Sequence, residues 1–574
     1  MSEGGPGEGD KTQLASDDAA LWRRFAGALG EDARVTPVYR LKLNGSPVPP
    51  LRIELKSFVP PDPLRAEALM AGVWRIGNHK LKLDPNTMPW DVRAPSRHFA
   101  DRLHRFDWLV DLIAEGAEGE ARAFALVDDW ISQFGKFNGF AWRLGPTADR
   151  IWNWLLSAKP LLTDDDAGKI RRESVARQIR HVNASLEGSP DPDARWRGGC
   201  IRLVDAALFQ DGRGLDDAIV NMESEFRAQI LPDGGHVSRS PERLLRALAD
   251  SLTLSSVFEQ TGRPTPPFLL KGIMLMGGML NMFKAGDGAL IPFQDGGEAR
   301  AETVDNVLAA LPSQPRTFSF AMKSGYQKLQ KGELRLVLDS GRSPERAFAG
   351  FAHAGSLGFE LHDGSDRIVT SCGFNREMNL DWQGAMRRTP AHSTLSIAGR
   401  DAAPFKTFEE TRLLTPMGPE GISAKRLEEA DEIWLDAQHS GWKEEYGLLH
   451  RRRLFMASDG NRLAGEDSLV RPVSAGPADR EDPIPFALRF HLHPTVSAFT
   501  RDDAIYLTCE SGQVWRFRTT HERAKLEPSI YIARGLSEKS EQIVMAGMAD
   551  PNGDGAGPPN CVRWAFIRQV PKTG

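Results

Sequence analysis

The feature that most constrains this 574-residue chain is a change of pattern near residue 315. From about residue 18 to 310, apolar residues recur at the three- and four-residue spacing of amphipathic helices. After Pro312, short alternating runs follow one another, and Gly, Asp, Asn or Pro separates most of them. Runs of this kind are typical of antiparallel β-sandwiches. We therefore expect an α+β protein of several domains, because one core rarely serves so long a chain.

The helical part divides into amphipathic segments that short polar or Pro/Gly connections separate. The segments are approximately 97–114, 118–137, 146–159, 164–186, 194–210, 215–230, 238–262 and 266–284. Sequential antiparallel helix pairs make bundles or toroids. Two alternating runs, RVTPVYRLKL and GVWRIGNHKLKL, predict a small strand insert near 35–85. The predicted parts are a disordered tail at 1–17, a helical domain at 18–312 and a β-sandwich at 313–574.

Charge and composition exclude some classes of protein. The formal net charge of −5 gives no electrostatic case for nucleic-acid binding. The four cysteines lie far apart without CxxC spacing, which favours reduced, buried thiols over a disulfide framework.

The N-terminal sequence and the most apolar segment bear on localisation. The Gly-rich, acidic start has neither the cationic nor the apolar region of a secretory signal peptide. The most apolar stretch, Ile273 to Phe283, is far shorter than the ~20 residues that span a bilayer. The sequence as written therefore predicts a cytoplasmic protein without a transmembrane segment.

Several local strings narrow the fold. In the helical half they are HRFDWLVDL from His104, RIWNWLLSAKPLL from Arg150, ILPDGGHVSRSPERLLRALADSL from Ile230 and GDGALIPFQDGGE from Gly286. In the strand-rich half they are FAHAGSLGFELHDGSDRIVTSCG from Phe351 and RRTPAHSTLSIAG from Arg387. This ordered set resembles the heparinase II/III family of polysaccharide lyases.

The resemblance implies a fold and a reaction. The fold is an N-terminal incomplete (α/α) toroid followed by a C-terminal antiparallel β-sandwich. The reaction is β-elimination on a uronic-acid-containing polysaccharide or oligosaccharide, which needs a neutralised carboxylate, a base and an acid. In the family a Tyr and a His, with an Asn or His neutraliser, fill these roles, and members often work in the periplasm or cell envelope.

The helical site positions depart from the family pattern. Arg243 stands where the resemblance places the catalytic Tyr, after the Ser240-Pro241 pair. The earlier neutraliser region reads ARWRGGC, so Arg195, Trp196 and Arg197 become candidate substrate-binding residues. Arg239, before the Ser-Pro pair, joins this group. Two interpretations stay open for these arginines: a groove for an anionic substrate, or solvated helix charges.

Three histidines are candidate acid/base groups. His236 follows the Asp-Gly-Gly turn, and its alternative role is to orient that loop. In the strand-rich half, the resemblance places His353 at the family's metal position, with Phe351 at the catalytic one, and His392 in the AHST string. His353 and His392 are also the two matched ligands of a possible structural zinc. The Asp ligand expected on the next strand falls at Ser371, and His439 or His450 is a candidate third ligand. No other cofactor is expected.

Two hypotheses follow. The first is a lyase with a non-standard site, in which arginines clamp the uronate and His236, Arg243, His353 and His392 carry the chemistry. The second is a catalytically degenerate family member that binds an anionic glycan in the cleft between the domains.

Overall fold

This computed structural model describes residues 37–569, apart from 78, 351, 377, 408–413, 417, 420, 523 and 534–535. The predicted disordered tail at 1–17 lies outside the described residues. The chain divides into two compact units. The first comprises Met1–Leu55, Pro61–Trp74 and Lys80–Ala218, and the second comprises Lys56–Pro60, Arg75–His79 and Ile219–Gly574. The domain boundary expected at residue 312 stays a prediction.

Helices dominate the described chain before residue 310. In order they are α1 (Pro37–Leu43), α2 (Pro63–Met70), α3 (Arg97–Leu103), α4 (Leu109–Ala114), α5 (Ala117–Phe134), α6 (Leu144–Leu156), α7 (Ala158–Leu161), α8 (Asp166–Ser185), α9 (Pro192–Val204), α10 (Leu215–Gln229), α11 (Pro241–Gln260), α12 (Pro267–Phe283) and α13 (Ala301–Ala309). Three short helices follow among the strands: α14 (Arg346–Ala349), α15 (Leu380–Met386) and α16 (Lys443–Tyr446).

Polar caps explain where several of these helices begin. The side chains of Ser96, Asp165 and Asp191 accept hydrogen bonds from backbone N–H groups in the first turns of α3, α8 and α9. Ser240 caps α11 in the same way, and Pro241 occupies the first turn, where its missing N–H costs nothing. The Ser-Pro pair thus fixes the start of the helix that carries Arg243.

The strands form two hairpins and two large antiparallel sheets. They are β1 (Val73–Ile76), β2 (His79–Lys82), β3 (Phe320–Ala321), β4 (Tyr326–Lys331), β5 (Leu334–Asp339), β6 (Phe359–Asp363), β7 (Asp366–Thr370), β8 (Leu395–Ile397), β9 (Phe405–Thr407), β10 (Leu414–Pro416), β11 (Ser423–Glu429), β12 (Glu432–His439), β13 (Leu449–Met456), β14 (Arg462–Val470), β15 (Ile484–Leu492), β16 (Ser497–Arg501), β17 (Ala504–Thr508), β18 (Val514–Thr519), β19 (Ala524–Ala533), β20 (Leu536–Ala549) and β21 (Cys561–Gln569).

The two large sheets pack as a β-sandwich, as the alternating runs predicted. One sheet has nine strands in the order β19-β20-β15-β7-β6-β5-β4-β3, with β8 also paired to β15. The other has eight, in the order β11-β12-β13-β14-β21-β18-β17-β16. Leu336 and Phe490 from the first sheet join Leu454 and Trp515 from the second in one buried core.

The strand insert expected near 35–85 is only half right. The second run forms the β1-β2 hairpin, as predicted. The first run is wrong as a strand, because it contains the helix α1. Tyr39 of this helix hydrogen-bonds His181 of α8 and packs against Phe137. The alternation of apolar and polar residues in this run is too short to decide between a helix and a strand. The proline in the first turn and the packing of Tyr39 favour the helix.

The four cysteines are buried and form no disulfide bond, as their spacing predicted. They are Cys200, Cys372, Cys509 and Cys561. Within the described residues, none of the helices is both long enough and apolar enough to cross a membrane.

Candidate functional site

The Asp-Gly-Gly turn before His236 connects two loops of the second unit through hydrogen bonds. Asp233 accepts hydrogen bonds from the backbone N–H groups of Lys323 and Ser324, each at 2.8 Å, and from the Ser324 hydroxyl at 2.7 Å. Gly235 lies directly against the Ser324 side chain, which leaves no room for a Cβ. The motif therefore fastens the loop before α11 to the β3–β4 turn.

His236 is buried and held at both ring nitrogens. Its Nδ1 lies 3.1 Å from the Ser238 backbone nitrogen and 2.7 Å from the Ser238 hydroxyl oxygen. Its Nε2 lies 3.2 Å from Oε1 of Gln229. Because the Ser238 N–H donates to Nδ1, the geometry fits a neutral imidazole that carries its proton on Nε2 and donates it to Gln229. These contacts orient the loop.

Arg239 is also tied inward. It has a left-handed backbone conformation with φ of 62°, and its guanidinium pairs with the buried carboxylate of Asp339. Further donor hydrogen bonds reach the Ser324 carbonyl at 2.8 Å, and the guanidinium lies 4.8 Å from the centre of the Tyr326 ring. The predicted substrate-binding arginine thus links the loop before α11 to the β3–β4 turn and to strand β5.

Arg243, at the position expected for the family Tyr, forms an ion pair with Asp295. Its Nε lies 3.2 Å from Asp295 Oδ2, and Arg376 donates to the same carboxylate oxygen. The Asp295 side chain is only 3% exposed, and the Arg243 side chain 10%. One buried carboxylate therefore holds guanidiniums from α11 and from the loop after β7.

Gln294, the neighbour of Asp295, joins the Arg239–Asp339 ion pair to the backbone of His353. Its Nε2 donates to Asp339 Oδ2 at 2.7 Å, and its Oε1 accepts from the His353 backbone N–H at 2.9 Å. Gln294 also has a positive φ of 54°, which is uncommon for a residue with a side chain. We call Gln294, Asp295, Arg239, Arg243, Asp339 and Arg376 the Asp295 cluster.

His353 and His392 lie side by side, with ring centres 5.2 Å apart. Burial lowers the pKa of His392 to about 3, with a smaller effect from His491. Burial and the neighbouring His392 push the pKa of His353 well below its ordinary range. Both rings are therefore neutral at pH 7. Both nitrogens of His353 and Nε2 of His392 have no hydrogen-bond partner in the described part of the chain.

This histidine pair does not fit the structural zinc that the resemblance implies. Ser371 occupies the expected Asp position, and its hydroxyl lies 3.2 Å from His392 Nδ1. Among the described residues, no group of three or more His, Cys, Asp or Glu side chains is arranged to hold a metal. Two imidazoles fall short of the three or four protein ligands that zinc takes.

The candidate third ligands, His439 and His450, belong to a separate buried network. His450 lies 3.2 Å from His439 and 2.7 Å from Asp467, which also pairs with Arg452. The pKa of Asp467 is lowered to about 2, because Arg452 and His450 outweigh the opposing effect of burial. These side chains therefore pair with one another through hydrogen bonds and an ion pair that connect strands β12, β13 and β14.

The remaining predicted residues lie in the first unit, on α9. Arg195 donates to the Ser189 carbonyl at 2.7 Å. Arg197 pairs with Asp149 at 3.4 Å, and its guanidinium lies 5.0 Å from the centre of the Trp152 ring. Trp196 is only 5% exposed. The structure therefore places these three side chains in local packing of the helical unit, and their role in binding stays a prediction.

The structure also places residues in the cluster that sequence reasoning did not single out. These are Gln294, Asp295, Asp339 and Arg376. In the sequence, the string from Gly286 to Glu298 carries the family resemblance but singles out neither Gln294 nor Asp295. The positive φ of Gln294 and the long-range ion pairs have no local sequence signal, so the cluster could not be read from spacing.

Tyr326 is the tyrosine that touches this cluster. It is completely buried, and its hydroxyl donates to the Arg239 carbonyl at 2.7 Å. Burial raises the pKa of Tyr326 far above its usual range. The side chain therefore stays protonated and serves as a hydrogen-bond donor in the core.

Helices followed by an antiparallel β-sandwich define a protein of the polysaccharide-lyase fold. Residues 313–565 match the family described as "Heparinase II/III-like, C-terminal". The chain belongs to the heparinase II/III-like family. A curated relative, "FtsZ-localized protein C" of Caulobacter vibrioides, is 34% identical over 506 residues, which cover 86% of this chain and 86% of the relative.

Solved structures show the same fold. The crystal structure of heparinase III gives a TM-score of 0.66 at 14% identity and covers 92% of this chain and 88% of its own. The heparan sulfate lyase HepC from Pedobacter heparinus gives 0.56 at 14% identity, with coverage of 91% and 85%. The predicted architecture, an incomplete (α/α) toroid followed by an antiparallel β-sandwich, is confirmed.

Proposed function

We propose that this chain is a catalytically degenerate heparinase II/III-like protein that binds rather than cleaves, and that it works together with FtsZ. The observation that carries the proposal is the ion pair between Arg243 and Asp295 at the position of the family Tyr. A guanidinium stays protonated at physiological pH, so it cannot remove a proton from a sugar carbon. Its charge is already directed to a buried carboxylate of this chain.

The other polar groups of α11 and its preceding loop support the same proposal. His236 is engaged at both ring nitrogens by Ser238 and Gln229. Arg239 is directed to Asp339 and to backbone carbonyls. Catalysis requires interactions with the substrate that become stronger in the transition state. Polar groups whose hydrogen bonds and charges are already paired within the protein contribute little to such interactions.

The ligand that we propose for the cluster region is an acidic polysaccharide or oligosaccharide. The name of HepC says that it acts on heparan sulfate. In this chain the Arg376 side chain is 27% exposed, more than that of Arg243, so it is the cluster cation that an anionic sugar reaches most easily. Guanidinium groups suit carboxylates and sulfates because they bind them with two parallel hydrogen bonds.

The second candidate function is elimination, and the histidine pair favours it. His353 and His392 are neutral at pH 7 and present three buried ring nitrogens with no described partner. A neutral imidazole can accept a proton. Elimination would create an unsaturated uronate, whose ultraviolet absorbance distinguishes this candidate from binding alone.

We also propose that the histidine pair holds no zinc. The support is Ser371 in place of the expected carboxylate ligand. Metal analysis of purified protein should find far less than one zinc per chain. One tightly held zinc per chain, lost in a His353→Ala variant, would contradict this.

The name of the Caulobacter relative supports a role at FtsZ assemblies. We propose that this chain is cytoplasmic and associates with them. The test is sedimentation of the full chain with assembled FtsZ from Caulobacter vibrioides, with heparinase III as the control of the same fold. We expect this chain in the pellet and heparinase III in the supernatant. If this chain also stays in the supernatant at every FtsZ concentration, association with FtsZ is wrong.

A further inference from the structure

The outer face of the eight-stranded sheet carries a groove that the Asp295 cluster does not use. Along β12, β13 and β14 alternate residues point into the sandwich core, as Leu435, Leu454 and Leu463 do. The residues between them face outward. Two of the large apolar side chains on this face are well exposed, Leu427 at 57% and Trp434 at 47%.

The strand register explains the shape of the groove. One outward-facing row crosses six neighbouring strands in the order Leu427, Trp434, Phe455, Ala464, Ala565, Arg518. The two alanines are much smaller than their neighbours, so the row dips where β14 pairs with β21. The resulting groove has a volume of about 1010 Å³. Strands lie ~4.8 Å apart, so the row is roughly 24 Å long.

Positive charge surrounds this apolar floor. Seven lysine and arginine side chains line the groove, against two carboxylates. The carboxylates are Asp436, which pairs with Arg451, and Glu466, which pairs with two other arginines. Among the described residues, Lys425, Arg462 and Arg518 have no acidic partner within salt-bridge distance. A cationic face on a chain of net charge −5 favours an anionic ligand.

The floor indicates which anionic ligand fits. A flat membrane surface does not follow a concave groove. An acidic polysaccharide finds cations at the border of the groove, but the side chains of Leu427, Ala464 and Ala565 on the floor offer its hydroxyl groups no hydrogen bonds. Aromatic and aliphatic side chains fill such a floor well, and exposed apolar surface with a charged border is typical of protein interfaces.

We propose that this groove binds an acidic segment of a partner protein. The segment places aromatic or large aliphatic side chains over Ala464 and Ala565 and directs carboxylates to Lys425, Arg462 and Arg518. The floor of the groove is the face of the sheet and not the edge that β11 forms, so recognition depends on side chains rather than on strand addition. The inference goes beyond the proposed function, because it depends on neither the Asp295 cluster nor FtsZ.

The experiment selects ligands without assuming a partner. A displayed library of random 12-residue peptides is selected on the full chain, and enriched peptides are measured by fluorescence polarisation. We expect enriched peptides to combine Asp or Glu with aromatic residues or Leu. The triple variant K425E/R462E/R518E should weaken their binding at least tenfold. Ala464→Trp, which fills the floor and leaves the charge unchanged, should weaken it similarly.

A matched variant controls for net charge. K169E/K271E/K525E changes three exposed lysines away from the groove, and it should bind the peptides as the unmodified chain does. The proposal is overturned if no peptide is enriched, or if the enriched peptides bind the groove variants and the unmodified chain equally. It is also overturned if heparin oligosaccharides or phosphatidylglycerol vesicles, rather than peptides, show binding that Ala464→Trp abolishes.

Discussion

Arginines serve opposite purposes in the Asp295 cluster and on the outer face of the eight-stranded sheet. In the cluster, Arg239 is buried and pairs with Asp339, and Arg243, whose side chain is 10% exposed, pairs with Asp295. On the sheet face, Arg462 and Arg518 are exposed and have no acidic partner among the described residues. A buried arginine that is paired with a carboxylate helps to hold the fold together, whereas an exposed arginine without an acidic partner is available to bind a ligand.

This difference predicts which property a substitution in each region should change. The cluster lies where the family resemblance places catalysis, yet its contacts connect α11, β5 and the loop after β7. The groove lies on a face for which the resemblance implies no site. Changes in the cluster should therefore alter stability first, and changes in the groove should alter binding first.

The largest effect on stability should come from Asp295→Ala. The variant leaves two guanidiniums without their shared buried carboxylate, so the free energy of unfolding should fall by about 3–5 kcal/mol. Urea unfolding measures this loss. The control is Asp305→Ala, which breaks a more exposed pair with Lys284 and should cost at most about 1 kcal/mol. Equal losses for the two variants would show that the cluster is not structural.

Gln294→Ala should have a smaller effect. It removes the donor to Asp339 and the acceptor for the His353 backbone N–H, both buried. The expected loss is about 1–3 kcal/mol in the free energy of unfolding. The exposed Gln314→Ala serves as the control and should leave stability nearly unchanged. A loss below about 0.5 kcal/mol for Gln294→Ala would mean that this bridge adds little.

The pH dependence of stability should also reveal the buried histidines. The pKa of His392 is lowered from 6.5 to about 3, so between these pH values the unfolded chain binds a proton that the folded chain does not. The free energy of unfolding therefore falls as the pH falls below about 6.5. His392→Asn should reduce this slope by up to about 1.4 kcal/mol per pH unit. Unfolding midpoints from pH 7 to 4.5 measure it, and an unchanged slope would contradict the assignment.

The smallest effect on stability should come from the groove. The exposed side chains of Lys425, Arg462 and Arg518 have no acidic partner among the described residues. Each substitution of K425E/R462E/R518E should therefore change the free energy of unfolding by about 0.5 kcal/mol or less, and all three together by about 1.5 kcal/mol or less. The same urea experiment measures it. A loss comparable to that of Asp295→Ala would erase the distinction between the two regions.

The sequence predicts the order of the fold better than the site. Apolar periodicity and turn residues predict helices before Pro312 and strands after it, because both patterns are local. The ion pairs of Asp295 are not local, since Arg243 and Arg376 lie 52 and 81 residues away. Folding brings them together, and no spacing rule connects them. The helix α1 was missed for a similar reason, because its contact with His181 is long-range.

We propose that the residue at the Arg243 position no longer supports elimination. The most direct measurement is ultraviolet absorbance of the unsaturated uronate product, with the full chain on heparan sulfate, alginate, hyaluronan and bacterial uronate polymers, and with heparinase III as the positive control on heparan sulfate. We expect no increase in absorbance above the protein-free rate on any polymer. A steady increase that His392→Asn abolishes would contradict the claim and establish the lyase.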